Sequence, residues 1–112
     1  DIQLHSGLDL LAPVGAKVFA VEAGKVMFAT RNGYDSTISV HFANGGGWNY
    51  KHVIPGPGIQ FNANVAKGQI IGVVADPPRN SGVPPHMHLE RGTFFEGTNA
   101  APNRVVPDRN PL

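Results

Sequence analysis

The 112-residue chain contains no cysteine. Disulfides therefore add nothing to its stability, and histidine and carboxylate are its only strong metal ligands. The absence of disulfides leaves the compartment open. No apolar stretch approaches the roughly 20 residues that a membrane-spanning helix requires. There is no basic run, and the formal net charge is only +1, so the electrostatic footprint of a nucleic-acid binder is missing. Neither an initiating methionine nor a signal-peptide pattern is present, which leads us to expect a mature fragment or an excised domain. Long helices are disfavoured too: glycine (14) and proline (10) make up about a fifth of the chain and punctuate it with turns.

What the chain does have is histidine and acid in two short clusters, His5-Ser-Gly-Leu-Asp9 and His86-Met-His88. Around the first, Ile2, Leu4, Leu8 and Leu10 share one parity, and His5, Gly7 and Asp9 the other. That alternation marks an extended strand with one buried face, which predicts His5 and Asp9 on the opposite, polar face. Around the second, Met87 and Leu89 alternate with His86, His88 and Glu90, so a strand again puts both histidines on one face. Two such strands side by side can bring three nitrogen and oxygen donors to one ion and leave a fourth position open. That is the arrangement of a catalytic rather than a structural zinc site. Metal-dependent hydrolysis is the leading reading of the spacing; histidines that are merely solvated or satisfied are the bland one.

One core can form at this length, and residues 1–112 read as a single domain. Strands are predicted over Lys17 to Val21, Lys25 to Ala29, Thr37 to Phe42, Trp48 to Val53 and Gln69 to Val74. Loops are predicted at Ala12 to Gly15, Arg31 to Ser36, Asn44 to Gly47, Pro55 to Gly58 and Asp76 to Pro85, with a Pro/Asn-rich tail after Phe94-Phe95. In the fourth strand Trp48, Tyr50 and His52 share one face. Seven or so short strands with frequent turns predict an all-β fold, an antiparallel sandwich or open barrel.

The motifs, taken in order, resemble the lysostaphin/LytM-type zinc endopeptidases, which cut peptide bonds in bacterial cell-wall peptidoglycan. The opening H-x-x-x-D is His5-Ser-Gly-Leu-Asp9, followed by Ala12-Pro13-Val14-Gly15 and by Val18-Phe-Ala20 running to Gly24-Lys-Val26. The H-x-x-N-G and Y-x-H pair is His41-Phe-Ala-Asn44-Gly45 and Tyr50-Lys-His52. The V-x-x-G-Q-x-I-G segment is Val65-Ala-Lys-Gly68-Gln-Ile-Ile71-Gly72, and the closing H-x-H-x-E is His86-Met-His88-Leu-Glu90. The match spans residues 5–90, with 92–112 as a C-terminal extension.

The resemblance implies a set of roles. One Zn2+ ion would be held by His5, Asp9 and His88, and the catalytic pair would be His52 and His86. The fold would be an antiparallel β core with the active-site groove walled by loops. The substrate would be peptidoglycan peptide cross-links, cut at bonds flanked by small residues such as glycine or D-alanine. The location would be extracellular, periplasmic or at the cell wall, with wall-binding or phage modules outside this fragment. The chain departs from the family pattern at Val83-Pro84-Pro85, where a small residue usually precedes H-x-H, and at Gly33-Tyr-Asp-Ser-Thr-Ile38, which lacks the usual asparagine.

Four further residues carry two readings each. His41 reads as a surface or loop-supporting residue. Glu90 is either an acceptor for a ligand imidazole or a solvated edge residue. Tyr50 either bonds substrate or is a half-buried sheet aromatic. Trp48 lines the groove or packs on the sheet. Two rival functions belong to other classes. An inactive relative that binds wall or activates another hydrolase would have lost ligands or catalytic histidines, and this chain keeps all five. A lipoyl- or biotinyl-type carrier would need an exposed lysine at a hairpin tip, for which Lys25 is the candidate.

Overall fold

The computed structural model of the protein describes residues 7–42, 45–95 and 104–107. They form ten strands: β1 (Leu8–Leu11), β2 (Lys17–Phe19), β3 (Gly24–Thr30), β4 (Thr37–His41), β5 (Gly46–Lys51), β6 (Val53–Pro55), β7 (Asn64–Val65), β8 (Ile70–Val74), β9 (His86–Phe95) and β10 (Arg104–Pro107). A three-residue 3-10 turn, Gly33–Asp35, joins β3 to β4. There is no α-helix among the described residues, as the glycine and proline content dictates. The strands make a seven-stranded sheet, in the order β1-β9-β5-β4-β3-β7 with β10 also on β9, and a three-stranded sheet, β2-β8-β6. Every pairing is antiparallel. The fold is all-β and open; neither sheet closes into a barrel.

One apolar cluster joins the two sheets. Val26, Ile38, Val40 and Tyr50 come from the larger, and Val18, Val53, Ile71 and Val74 from the smaller. Burying each aliphatic side chain contributes about 1.5–3 kcal/mol, so this seam holds the layers together. Met87 and Leu89 of β9 pack against it. The apolar parity of the H-x-H strand thus faces the core as the alternation predicts, and it turns His86 and His88 to the other face.

Three expectations are corrected. First, β1 buries neither face: Leu8 is 57% exposed and Leu10 40%. It is the edge strand of its sheet, and no other described element covers it, so alternation there marks no core. Secondly, His52 does not share a face with Tyr50. Its φ of 65° is left-handed, a conformation in which histidine is enriched among non-glycine residues. That reversal ends β5 and starts β6, so the buried positions run Tyr50, then Val53, and the histidine leaves the core face. Thirdly, part of the region taken as a tail is structured. β9 runs on to Phe95, and β10 pairs with it from Arg104↔Phe95 to Pro107↔Gly92. Glycine is required at 92, because a Cβ there would collide with the Val106 carbonyl.

The aromatics are settled as packing residues. Tyr50 is fully buried, and its hydroxyl accepts from the Val21 N–H at 2.9 Å. Trp48 packs against the core and donates its indole N–H to Glu22 at 2.9 Å. Lys25 lies inside β3, paired with His41 on one side and Asn64 on the other. It is not at a hairpin tip, which removes the carrier reading. His41 closes β4 opposite Lys25 and Gly47.

Candidate active site

β9 carries the site because strands flank it on both edges. β1 sets Asp9 opposite His88 and Leu11 opposite His86. β5 sets Lys51 opposite His88 from the other side, and the next residue is His52. Three segments distant in sequence therefore deliver their polar side chains to one end of the larger sheet. Asp9, His52, His86 and His88 lie in the described structure; His5 lies outside the described residues.

His88 is held between two carboxylates. Its Nδ1 lies 2.6 Å from Asp9 Oδ1, and its Nε2 3.0 Å from Glu90 Oε2. Carboxylate oxygens only accept, so each ring nitrogen needs a positive centre facing its partner. At Nε2 that is a proton. At Nδ1 it is either a second proton, making an imidazolium, or a cation shared with Asp9. The Nε2–H tautomer that Glu90 selects is the one that leaves the Nδ1 lone pair for a metal. The donor chemistry of His88 and Asp9 therefore fits a divalent ion, which these two side chains would help to hold, although no group of three metal-ligating side chains is complete among the described residues. His88 also holds the Asp9 carboxyl below its ordinary 3.8, first by their hydrogen bond and then by charge; partial burial opposes this, and His86 and His52 add smaller pulls in the same direction as His88.

Glu90 is not a solvated edge residue. It is buried; its Oε1 accepts from Asn49 Nδ2 at 3.1 Å and lies 3.5 Å from the Lys51 ammonium. Asn49 Nδ2 also donates to the Val105 carbonyl at 3.0 Å, and Asn49 Oδ1 accepts from the Ser39 hydroxyl at 2.6 Å. A buried polar chain thus runs from β4 through β5 to β9 and ends on His88. Gly7 completes the enclosure. A Cβ there would sit 2.5 Å from His88 Cε1 and Nε2, and its φ is +145°, so only glycine lets the backbone pass this close to the ring.

His52 and His86 are held differently. Nδ1 of His52 donates to the Tyr34 carbonyl at 2.6 Å, and Nδ1 of His86 donates to the Pro84 carbonyl at 2.9 Å. A carbonyl cannot donate, so in the neutral rings both Nε2 atoms carry lone pairs. The two rings meet edge to face with centroids 5.0 Å apart. The prolines before H-x-H cannot donate, but they serve as acceptors: Pro84 for His86, and Pro85 for the Ala12 N–H at 3.2 Å.

Spacing alone missed Tyr34, Asn49, Ser39 and Gly7. Asn49 and Ser39 carried a faint signal, each a polar residue flanked by strand residues that are apolar or aromatic. Tyr34 carried none beyond its place in a glycine-flanked turn.

Comparison with known proteins puts this site in context. Residues 3–101 match the description of peptidase family M23. The DD-carboxypeptidase/endopeptidase Mpg of Neisseria meningitidis is 36% identical over 89 residues, 79% of this chain and 20% of that protein. The chain thus spans about a fifth of the length of the curated relative it matches. The catalytic domain of lysostaphin from Staphylococcus simulans superimposes with a TM-score of 0.66 over 90% of this chain and 74% of that one, at 24% identity. A zinc-containing peptidase from Vibrio cholerae gives a TM-score of 0.67 over 94% and 29%, also at 24% identity. Those two likenesses establish the fold.

Proposed function

We propose that this chain, which belongs to peptidase family M23, is a zinc-dependent endopeptidase that hydrolyses the peptide cross-links of bacterial peptidoglycan outside the cytoplasm. The carrying observation is the pair His52 and His86, rings 5.0 Å apart, each with its tautomer fixed by a main-chain carbonyl, beside the Asp9–His88 contact. The peptide bond and the wall substrate are supported by Mpg, named a DD-carboxypeptidase/endopeptidase, and zinc by the Vibrio cholerae peptidase, described as containing it.

In this reading His5, Asp9 and His88 hold the ion, and residues 1–112 act as one catalytic domain. Bound zinc supplies a Lewis acid and makes water acidic enough to give up a proton near neutral pH. The chain's own residues do the rest. One of the two histidines, neutral with its Nε2 lone pair exposed, takes the proton from the attacking water. The other, protonated at Nε2, donates to the carbonyl oxygen as negative charge grows there, and its proton serves the leaving amine. Their Nδ1–H bonds keep both rings oriented through the exchange. Glu90 keeps the His88 imidazole in the tautomer a metal needs, and the loops at 31–36, 56–58 and 76–85 form the groove walls.

Digestion of purified peptidoglycans of several cross-link types, read by mass spectrometry, tests this directly. Cleavage at a peptide cross-link is expected, abolished by a chelator and restored by zinc, with casein left almost untouched. Casein cleavage with no action on any wall would overturn the reading.

A further inference from the structure

We propose that Tyr34 is the positioning residue of His52, holding the imidazole plane in its edge-to-face arrangement with His86. This rests on the reading of His52 as a proton-transfer group. The 3-10 turn that carries Tyr34 is closed by its own hydrogen bonds: Asp35 N–H to the Asn32 carbonyl at 3.0 Å, Ser36 N–H to the Gly33 carbonyl at 3.1 Å, and Asn32 N–H to the Ser36 hydroxyl at 2.8 Å. Ser36 is fully buried, so the turn has a fixed floor.

From that floor the turn grips His52 at three points. The Ser36 carbonyl accepts the His52 N–H at 2.9 Å, and the Tyr34 carbonyl accepts the ring Nδ1–H at 2.6 Å. The Tyr34 ring lies flat on the imidazole, centroids 3.9 Å apart and planes 11° from parallel. The His52 carbonyl is meanwhile taken by the Ala75 N–H at 2.9 Å. The backbone contacts fix where His52 starts, at a φ of 65°. A single bond to Nδ1 still lets the ring swing about that nitrogen, and the stacked phenol removes the freedom. The same ring meets His86 edge-on, centroids 6.0 Å apart at 68°, so one side chain touches both histidines.

The side chain alone can be varied, because the turn and the Nδ1 acceptor are main chain. Tyr34→Leu is expected to lower kcat about 10- to 100-fold, the scale of a misplaced catalytic group, with KM and zinc content unchanged. Tyr34→Phe, which keeps the flat ring, is expected to stay near wild type. In a His52→Ala background Tyr34→Leu is expected to cost far less than in the wild type, because the stacked partner is gone and only the edge contact with His86 remains. Independently of any substrate, NMR of the wild type should show the His52 ring protons shifted upfield by the stacked phenol, with the shift lost in Tyr34→Leu. An unmoved His52 spectrum, or an equal loss of activity with and without His52, would overturn the proposal. A wild type inert on every wall, with the ring shift present, would overturn the functional reading and leave the positioning intact.

Discussion

The site has two halves that treat histidine in opposite ways. His88 faces carboxylates at both ring nitrogens, whereas His52 and His86 each face a neutral main-chain carbonyl at Nδ1. A carboxylate partner stabilises a positive centre and binds it strongly. A carbonyl partner fixes orientation and leaves the ring free to be neutral or protonated. In the function proposed above, the first half would hold a cation and the second would pass a proton. Three imidazoles in one small site are thus told apart by what stands behind them.

The sharpest break in this comparison comes from His88→Ala. The expected outcome is complete loss of both zinc and activity, because the remaining donors cannot hold the ion; elemental analysis of the purified variant measures it. Retained stoichiometric zinc would move the metal half elsewhere.

His52→Ala and His86→Ala should do the converse. Zinc and thermal stability are expected to remain near wild type while turnover falls about 10²–10⁴-fold, as measured by release of wall peptides. Loss of zinc from either variant would erase the distinction between the halves.

Glu90→Gln sharpens the comparison rather than breaking it. Removing the charge behind His88 is expected to weaken zinc about 10- to 100-fold, read by competition with a chelating dye, while turnover at saturating zinc changes little.

The smallest effect lies beneath both halves. Burial pushes the Tyr50 phenol above its ordinary 10.0. The stability it confers as a neutral group is therefore complete below pH about 10 and is lost as pH rises through the folded-state value. Tyr50→Phe should remove that alkaline loss. It should also cost about 1–3 kcal/mol at neutral pH by leaving the Val21 N–H without its acceptor, as urea titration at several pH values would report.

Much of this was legible in the chain because period-2 patterning and turn chemistry are local. The alternation of Met87 and Leu89 with His86 and His88 predicted their faces correctly, and the absence of α-helix among the described residues followed from glycine and proline. What failed was non-local. The Leu8/Leu10 alternation looked like a buried face, but whether a face is covered depends on neighbouring elements, and β1 lies at an edge. His52 was placed with Tyr50 because a single left-handed residue, invisible to periodicity, turned it away. Asn49, Ser39 and Glu90 form one buried chain only once three strands are in register, and Tyr34 meets His52 across a turn and a strand.

The register of β1 on β9 has a consequence for biosynthesis. Asp9 and His88 are 79 residues apart in sequence, and at 5–20 residues per second a ribosome needs roughly 4–16 s to travel between them. Throughout that interval the nascent chain carries its first motif without the partner strand. A truncated product ending before β9 would lack both the strand that seats Asp9 and the histidine it meets. The Asp9–His88 contact therefore forms only when the last long strand has been made, so the order of synthesis makes this contact one of the last to assemble.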